Sequence, residues 1–266
     1  MKLVRQTVLA LLTAVSLLAS TLNATSFSAD QSDIWYIATE SGWGIQLVQR
    51  GSVIFATMFV YGPTGAPTWY VATMDSSDGL TWTGDLLATT GPWFGTIPFN
   101  PATVTVRKAG TMTWTPQSLT AGTLVYVVDG VAVTKNVVRQ TLVLDNYGGT
   151  YLGAFHAAIT GCSNPAGNVT GDVPLVTFTV TQNGATITIQ FAIAGLGSQT
   201  ITGAATQSGQ FGSIVGTFSD STGDSGAASA SALTVQANSI AGSFVQDSAT
   251  TACHIVGYFS GIRTGP

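Results

Sequence analysis

The sequence predicts an all-β protein in two parts. Residues 30–142 are expected to form an antiparallel sheet or sandwich module, and residues 143–266 an eight-stranded antiparallel barrel closed by a disulfide. Three observations support this prediction. The chain is rich in Thr, Ser, Val and Gly and has a single glutamate, so residues of high helix propensity are scarce. Apolar and polar residues alternate along many short runs. All six tryptophans lie between Trp35 and Trp114, so the composition changes near residue 143.

Residues 1–29 have the features of a secretory signal peptide. Lys2 and Arg5 form a charged start, an apolar run extends from Val8 to Ala19, and small residues follow. This run is too short for a bilayer span, and no later stretch reaches the roughly 18 apolar residues that a spanning helix needs. The sequence therefore predicts a secreted or periplasmic protein whose mature chain has no integral membrane segment. Association with the cell surface stays open.

The charge balance of the mature chain excludes some partners. Without Lys2 and Arg5, the chain has six Lys and Arg against twelve Asp and Glu, and the cations form no cluster. Nucleic acids and anionic lipid surfaces are bound through basic patches, so neither is an expected partner. No motif for a cofactor is present, and none is predicted.

The first half contains runs of β-branched and aromatic residues separated by Gly, Pro and Asp-Gly turns. About eight strands are predicted, at 33–38, 44–50, 53–61, 67–74, 80–88, 102–108, 111–116 and 122–142. Asp129-Gly130 is expected to fold the last of them back on itself as a hairpin. The segment 89–101 carries three prolines and two glycines, which predicts a long ordered loop. Whether the module is a barrel or a sandwich stays open.

The second half alternates more regularly. Val176, Phe178 and Val180 alternate with threonines, and after an Asn-Gly turn isoleucines and Phe191 alternate with polar residues up to Ile193. This period of two predicts an antiparallel hairpin with one apolar face. Further strands are predicted at 147–160, 198–206, 211–219, 228–236, 239–246 and 252–263. Because eight meandering strands leave the first and last antiparallel, the two can pair and close a barrel.

The two cysteines support this closure. Cys162 follows the first predicted strand of the second half, and Cys253 opens the last one, so a disulfide between them would staple the barrel seam. Closing a loop of roughly 90 residues would stabilise the fold by about 4 kcal/mol if chain entropy dominates. Extending this pairing along the seam places His156 opposite Phe259.

One set of residues resembles a known family. Trp35-Tyr36, Glu40–Ile45 (ESGWGI), Ile54–Tyr61 and Pro67–Tyr70 resemble secreted proteobacterial proteins that carry an ESGWG hairpin, often in repeats. The resemblance covers roughly residues 35–142 and departs at Ala38, where the family usually has proline. It implies export and an all-β fold, and no established activity. Residues 143–266 are similar only to a general calycin-like barrel pattern.

Aromatic side chains are the main candidates for binding. Trp35, Trp43, Trp69 and Tyr70 lie on predicted strands or tight turns, where flat rings could stack on sugars or enclose an apolar ligand. The alternative is that these rings form the core. Two flanking glycines favour an exposed Trp43. The leading hypothesis is therefore a binding protein for an extracellular polysaccharide or a small apolar ligand.

Catalytic candidates are few. Glu40, the single glutamate, could act with an aspartate such as Asp85, or it could accept backbone N–H bonds and fix the bend around Trp43. His156 is a further candidate. A hydrolase with its site in the barrel mouth or between the two parts is thus one alternative function, and a cell-surface structural protein is another. No metal site is predicted, because Asp75–Asp78 and Asp220–Asp224 are typical of turns.

Overall fold

The computed structural model describes residues 29–193 and 197–266, so all of the predicted signal peptide except Ala29 lies outside the described residues. The described chain is 67% strand and 3% helix. It forms two closed barrels, each of eight antiparallel strands. The predicted all-β class and C-terminal barrel are confirmed, and the first half is also a barrel rather than a sandwich. In the described part of the chain, no helix has the length and apolar character needed to cross a bilayer.

The strands of the first barrel follow one another around its wall in chain order. They are β1 (Asp33–Tyr36), β2 (Gly44–Arg50), β3 (Val53–Tyr61), β4 (Pro67–Asp75), β5 (Trp82–Thr90), β6 (Thr105–Pro116), β7 (Ala121–Val128) and β8 (Val131–Arg139). Short β1 closes the barrel by pairing with β8, where Trp35 faces Arg139. The long loop between β5 and β6 carries a short 3₁₀ helix, Pro101–Thr103.

One predicted strand division in this barrel is wrong, and one predicted hairpin is confirmed. The predicted strands 102–108 and 111–116 are one strand, β6, because a bulge at Ala109 lets pairing with β5 continue past it: Leu86 faces Gly110 and Leu87 faces Lys108. The predicted strand 122–142 is the hairpin β7–β8, with its turn at Asp129-Gly130 as expected.

The interior of the first barrel is filled by large side chains. Trp35, Trp82 and Trp114 are fully buried, together with several methionines, leucines and isoleucines. The rings of Trp35 and Trp114 lie 4.6 Å apart, edge to face. Gly122 makes room for Trp114, since a Cβ at that position would overlap the indole ring. Because these aromatic rings are fully buried and interdigitate, the first barrel has a packed core.

The second barrel has longer strands in the same up-and-down order. They are β9 (Gly149–Thr160), β10 (Thr170–Asn183), β11 (Thr186–Ile193), β12 (Gly197–Ser208), β13 (Phe211–Asp220), β14 (Ser225–Gln236), β15 (Ser239–Ser248) and β16 (His254–Gly265). A 3₁₀ helix, Pro165–Gly167, lies between β9 and β10. The barrel closes by the predicted pairing of its first and last strands.

Cys162 and Cys253 form the predicted disulfide at this seam, with their Cα atoms 4.0 Å apart. The predicted register is wrong by one residue, since His156 faces Tyr258 and not Phe259. The reason is that both cysteines lie just outside the paired strands, which end at Thr160 and begin at His254, so the disulfide does not continue the strand register.

A polar joint connects the barrels. The turn between β12 and β13 contacts the start of the first barrel: the Gln210 backbone N–H donates to Asp33 Oδ2 (2.9 Å), and its side chain donates to the Ser32 carbonyl (2.8 Å). Arg139 lies beneath this turn with its guanidinium buried between the rings of Trp35 and Phe211. The end of the second barrel that holds this turn is its near end, and the opposite end, with the disulfide, is its far end.

Candidate ligand-binding site in the second barrel

The second barrel encloses a cavity of about 330 Å³, within the size range of small-molecule pockets. Residues of all eight strands line it, and nearly all of them are apolar. Its walls include the rings of Phe155, Phe191 and Phe244, where Phe155 meets the other two edge to face with centroids 5.9 and 6.3 Å away. Ile159 and Ile255, near the far ends of their strands, also line it, so the cavity extends toward the far end.

The near end of this barrel is filled. Tyr147 and Tyr151 are fully buried there beside Leu233, and the Tyr151 ring stacks on Phe178 with centroids 5.2 Å apart. The Tyr147 hydroxyl donates to Gln207 Oε1 at 2.6 Å, and burial raises the pKa of Tyr147 to about 12. A ligand in the lumen would therefore rest on an aromatic floor and face the far end.

The lumen is not filled because several of its inward positions, between the phenylalanines, carry alanine. Ala228 and Ala230 face the cavity from β14, and Ala157 faces it from β9. All six tryptophans of the chain lie in its first half, so none occupies this lumen, whereas three tryptophans fill the first barrel. Two barrels with the same number of strands can therefore differ in how much of the interior their inward side chains fill.

Two polar side chains meet inside the lumen. Gln246, only 5% exposed, donates from Nε2 to Oε1 of Gln199 at 2.8 Å. Gln199 is on β12 and Gln246 on β15, with β13 and β14 between them around the wall, so this hydrogen bond crosses the interior. An apolar pocket with a few converging polar groups is the usual form of a small-molecule site.

Among the described residues that line the cavity, one is charged, Asp172, and its carboxylate faces outward. Its side chain is 81% exposed and lies 2.8 Å from His156 Nδ1. The His156 ring in turn stacks on Tyr258, 5.1 Å away on the neighbouring strand. His254 forms a separate pair with Asp247 at 2.6 Å. The catalytic candidate His156 is therefore on the outer wall and not in the barrel mouth. This follows because successive strand residues point to opposite faces and Phe155 points inward.

The other two catalytic candidates lie in different parts of the first barrel: Glu40 is in the turn between β1 and β2, and Asp85 is on β5. Glu40 Oε2 accepts from Lys135 Nζ at 2.6 Å and from Trp43 Nε1 at 3.0 Å, and these bonds lower the pKa of Glu40. Asp85, on β5 across the barrel, pairs with Lys108 at 2.6 Å. The structure does not bring the two carboxylates together. Glu40 fixes the bend around Trp43 through side-chain donors, not through the backbone N–H groups that the sequence suggested.

The four predicted binding aromatics have separate environments. Trp35 is in the packed core, where its Nε1 donates to the Gln31 carbonyl, so no ligand can reach it. Trp43 packs partly against the core, with Lys135 Nζ 5.5 Å from its ring centroid, and is less exposed than its glycines suggested. Tyr70 also packs against the core. Trp69 is 47% exposed on the outer wall.

The sequence predicts the second barrel but does not identify the residues that line its lumen. A usable signal exists in the alternation. Ile240, Phe244 and Gln246 share the inward phase of β15, and Gln199 shares that of Ile201 on β12. A polar residue at an inward position interrupts the alternation of apolar and polar residues. It indicates that the interior uses a hydrogen-bonding group at that place.

No protein-family model matches this chain, and no curated protein matches it significantly. Among solved structures, the chain is similar to a Bacteroides fragilis protein provisionally named an outer membrane protein. The two share 15% identity over 86% of this chain and 94% of the other, with a TM-score of 0.36. At this score the two folds correspond only loosely.

Proposed function

We propose that this is an exported binding protein that holds one small apolar ligand in the lumen of its second barrel. The observation that supports the proposal is the contrast between the two barrels. Tryptophans and methionines fill the first, whereas the second keeps an apolar cavity of about 330 Å³ walled by phenylalanines and isoleucines. The first barrel then serves as a packed scaffold attached at the near end, away from the cavity's far end.

An unfilled apolar cavity of this size is costly. The side chains around it forgo the van der Waals contacts that a packed interior such as that of the first barrel provides. Small side chains such as Ala228 could be replaced by larger ones without changing the alternation of β14. A ligand that occupies the space recovers the lost contacts and desolvates its own apolar surface. The hollow lumen therefore fits a binding function better than a purely structural one.

A neutral fluorescent apolar probe, N-phenyl-1-naphthylamine, tests this function. We expect its emission to rise on mixing with the protein and to saturate at one probe per chain. Ala228→Leu projects extra carbons into the lumen and is expected to weaken probe binding at least tenfold. Ala227→Leu is the matched control, because Ala227 is the exposed neighbour on the outer face of the same strand. Equal binding by both variants would place the probe outside the lumen.

The first barrel offers a second candidate function, polysaccharide binding, which one surface favours. Trp69 faces Phe59 across the β3–β4 pair, and both rings are about half exposed on the outer wall. Tyr61, 58% exposed, ends the same strand as Phe59. Adjacent exposed rings can stack on sugars. Affinity electrophoresis in gels containing soluble polysaccharides, comparing the parent with Trp69→Ala, tests this candidate, and unretarded migration of both proteins in every gel would reject it.

The hydrolase alternative has weaker support. Of its candidate groups, His156 and Asp172 form a pair on the outer wall, while Glu40 and Asp85 are each held by a lysine on different sides of the first barrel. None of these carboxylate or imidazole groups faces the lumen. Measured hydrolysis of p-nitrophenyl esters that is lost in His156→Ala and retained in Ala228→Leu would favour the hydrolase over the binding protein.

A further inference from the structure

The polar pair in the lumen has unused hydrogen-bonding capacity. Gln246 and Gln199 share one hydrogen bond, from Nε2 of the first to Oε1 of the second. Each side-chain amide has two N–H donors and a carbonyl acceptor. In the described residues, the Gln199 amide nitrogen and the Gln246 carbonyl oxygen have no protein partner. Reversing both amides would still leave one nitrogen and one oxygen free, so this conclusion does not depend on how the amides are oriented.

The location of the pair places these groups where a ligand can meet them. Gln199 is the third residue of β12, and Gln246 is the third from the end of β15, so both lie about two residues, roughly 7 Å, below the far end of the barrel. Their strand neighbours include Phe191, Ala228 and Ile255, which line the cavity. The apolar cavity continues below the pair toward the floor formed by Tyr151.

The charges around the lumen exclude an ionised ligand. Among the described residues that line the cavity there is no Lys, Arg or His, so a buried carboxylate or phosphate would have no counterion. The one carboxylate at the wall, on Asp172, faces solvent and pairs with His156, so it offers a cationic ligand no partner inside. Burying an unpaired charge is far more costly than burying a neutral polar group that is hydrogen-bonded.

We propose that the lumen selects an uncharged amphiphile with a hydrocarbon body and one hydroxyl or amide head group. The head group accepts a hydrogen bond from the Gln199 amide nitrogen and donates one to the Gln246 carbonyl oxygen. The hydrocarbon body lies below the pair among Phe155, Phe244 and their apolar neighbours. This proposal rests on the proposed function, because it names the ligand class of the same cavity.

The proposal is tested with a series of ligands that share one hydrocarbon chain and differ in head group. At pH 8, bound N-phenyl-1-naphthylamine is displaced with 1-octanol, octanamide, octanoate and n-octane. We expect octanol and octanamide to compete at least tenfold more strongly than ionised octanoate and than octane. The probe is extrinsic because the tryptophans of the chain all lie in its first half and none lines the lumen.

Two variants separate the head-group contacts from the cavity itself. The double variant Gln199→Met, Gln246→Met keeps the side-chain length and removes the amides, so octanol should lose its advantage over octane while the probe still binds. His156→Ala, on the outer wall, should leave the whole series unchanged. Octanoate competing as well as octanol, or the advantage of octanol surviving in the double variant, would overturn the head-group proposal alone. Failure of the parent protein to bind the probe would overturn the proposed function as well.

Discussion

The Arg139 guanidinium lies between an aromatic ring of each barrel: its central carbon is 4.3 Å from the Trp35 ring centroid and 4.7 Å from that of Phe211. The group is fully buried, and burial lowers its pKa. Nε donates to the Leu119 carbonyl at 2.6 Å, and Nη1 donates to Asp33 Oδ2 at 3.0 Å. We propose that the barrels are separate domains, divided near residue 143, and that this joint orients one on the other.

Removing Arg139 should be strongly destabilising. Arg139→Ala leaves the largely buried Asp33 carboxylate without its cationic partner and the Leu119 carbonyl without its Arg139 donor, so we expect the free energy of unfolding to fall by about 3–5 kcal/mol. Urea denaturation measures this. The control is Arg107→Ala, because Arg107 forms a solvent-exposed pair with Asp129 that water screens, so its removal should change stability far less. Similar losses in both variants would contradict the role of the joint.

Alkaline pH should destabilise the near end of the second barrel. Burial raises the pKa of Tyr147 to about 12, whereas an unfolded tyrosine ionises at about 10. The folded chain therefore holds this proton more tightly, and the resulting stability is present below pH of about 10 and lost as the pH rises toward about 12. Tyr147→Phe should show a flatter decline over this interval in urea denaturation. Tyr258→Phe, at an exposed position, should follow the parent, and identical slopes for all three proteins would refute the prediction.

The seam disulfide should contribute measurably to stability. Cys162 and Cys253 are 91 residues apart in sequence, and removing a crosslink across so long a loop typically costs 2–5 kcal/mol. We expect the variant Cys162→Ser, Cys253→Ser to lose about that much in urea denaturation. The parent treated with reductant should fall to the same value, which makes it the internal control. A variant as stable as the oxidised parent would contradict this expectation.

The ESGWG residues should act in stability rather than in ligand contact. Trp43 packs against the core and donates to Glu40, so Trp43→Ala should lower the free energy of unfolding by about 2 kcal/mol. Trp69→Ala, at a half-exposed position on the outer wall, should change it by about 0.5 kcal/mol or less. Thermal and urea denaturation of the two variants compare them directly. A larger loss of stability in Trp69→Ala than in Trp43→Ala would contradict this prediction and would favour the hypothesis that Trp43 is an exposed binding residue.

Local patterns were sufficient to predict much of the fold. The hairpin from Val176 to Ile193 and the turn at Asp129-Gly130 follow from alternation and turn chemistry, and the closing pair of the second barrel followed from strand count and cysteine position. The closure of the first barrel was not predicted, since it depends on four-residue β1 meeting β8 more than 90 residues later. No local signal marks such a distant pairing.

The candidate site was harder to predict because a cavity is a property of packing. Alternation shows that Ala228 faces inward, but it does not show whether a side chain from another strand fills the space in front of it. The meeting of Gln199 and Gln246 depends on barrel curvature, which brings strands together that are three positions apart around the wall. Conversely, conspicuous residues such as Trp35 are explained by the core.

The most direct test of the account is a crystal structure of the protein grown with 1-octanol. We expect continuous density in the second barrel, with the hydroxyl between Gln199 and Gln246 and the alkyl chain passing Phe155 toward Tyr151. The first barrel should contain no such density. A second barrel whose inner side chains close the lumen, or octanol density found only on the outer walls, would contradict the central claim that this lumen is a ligand site.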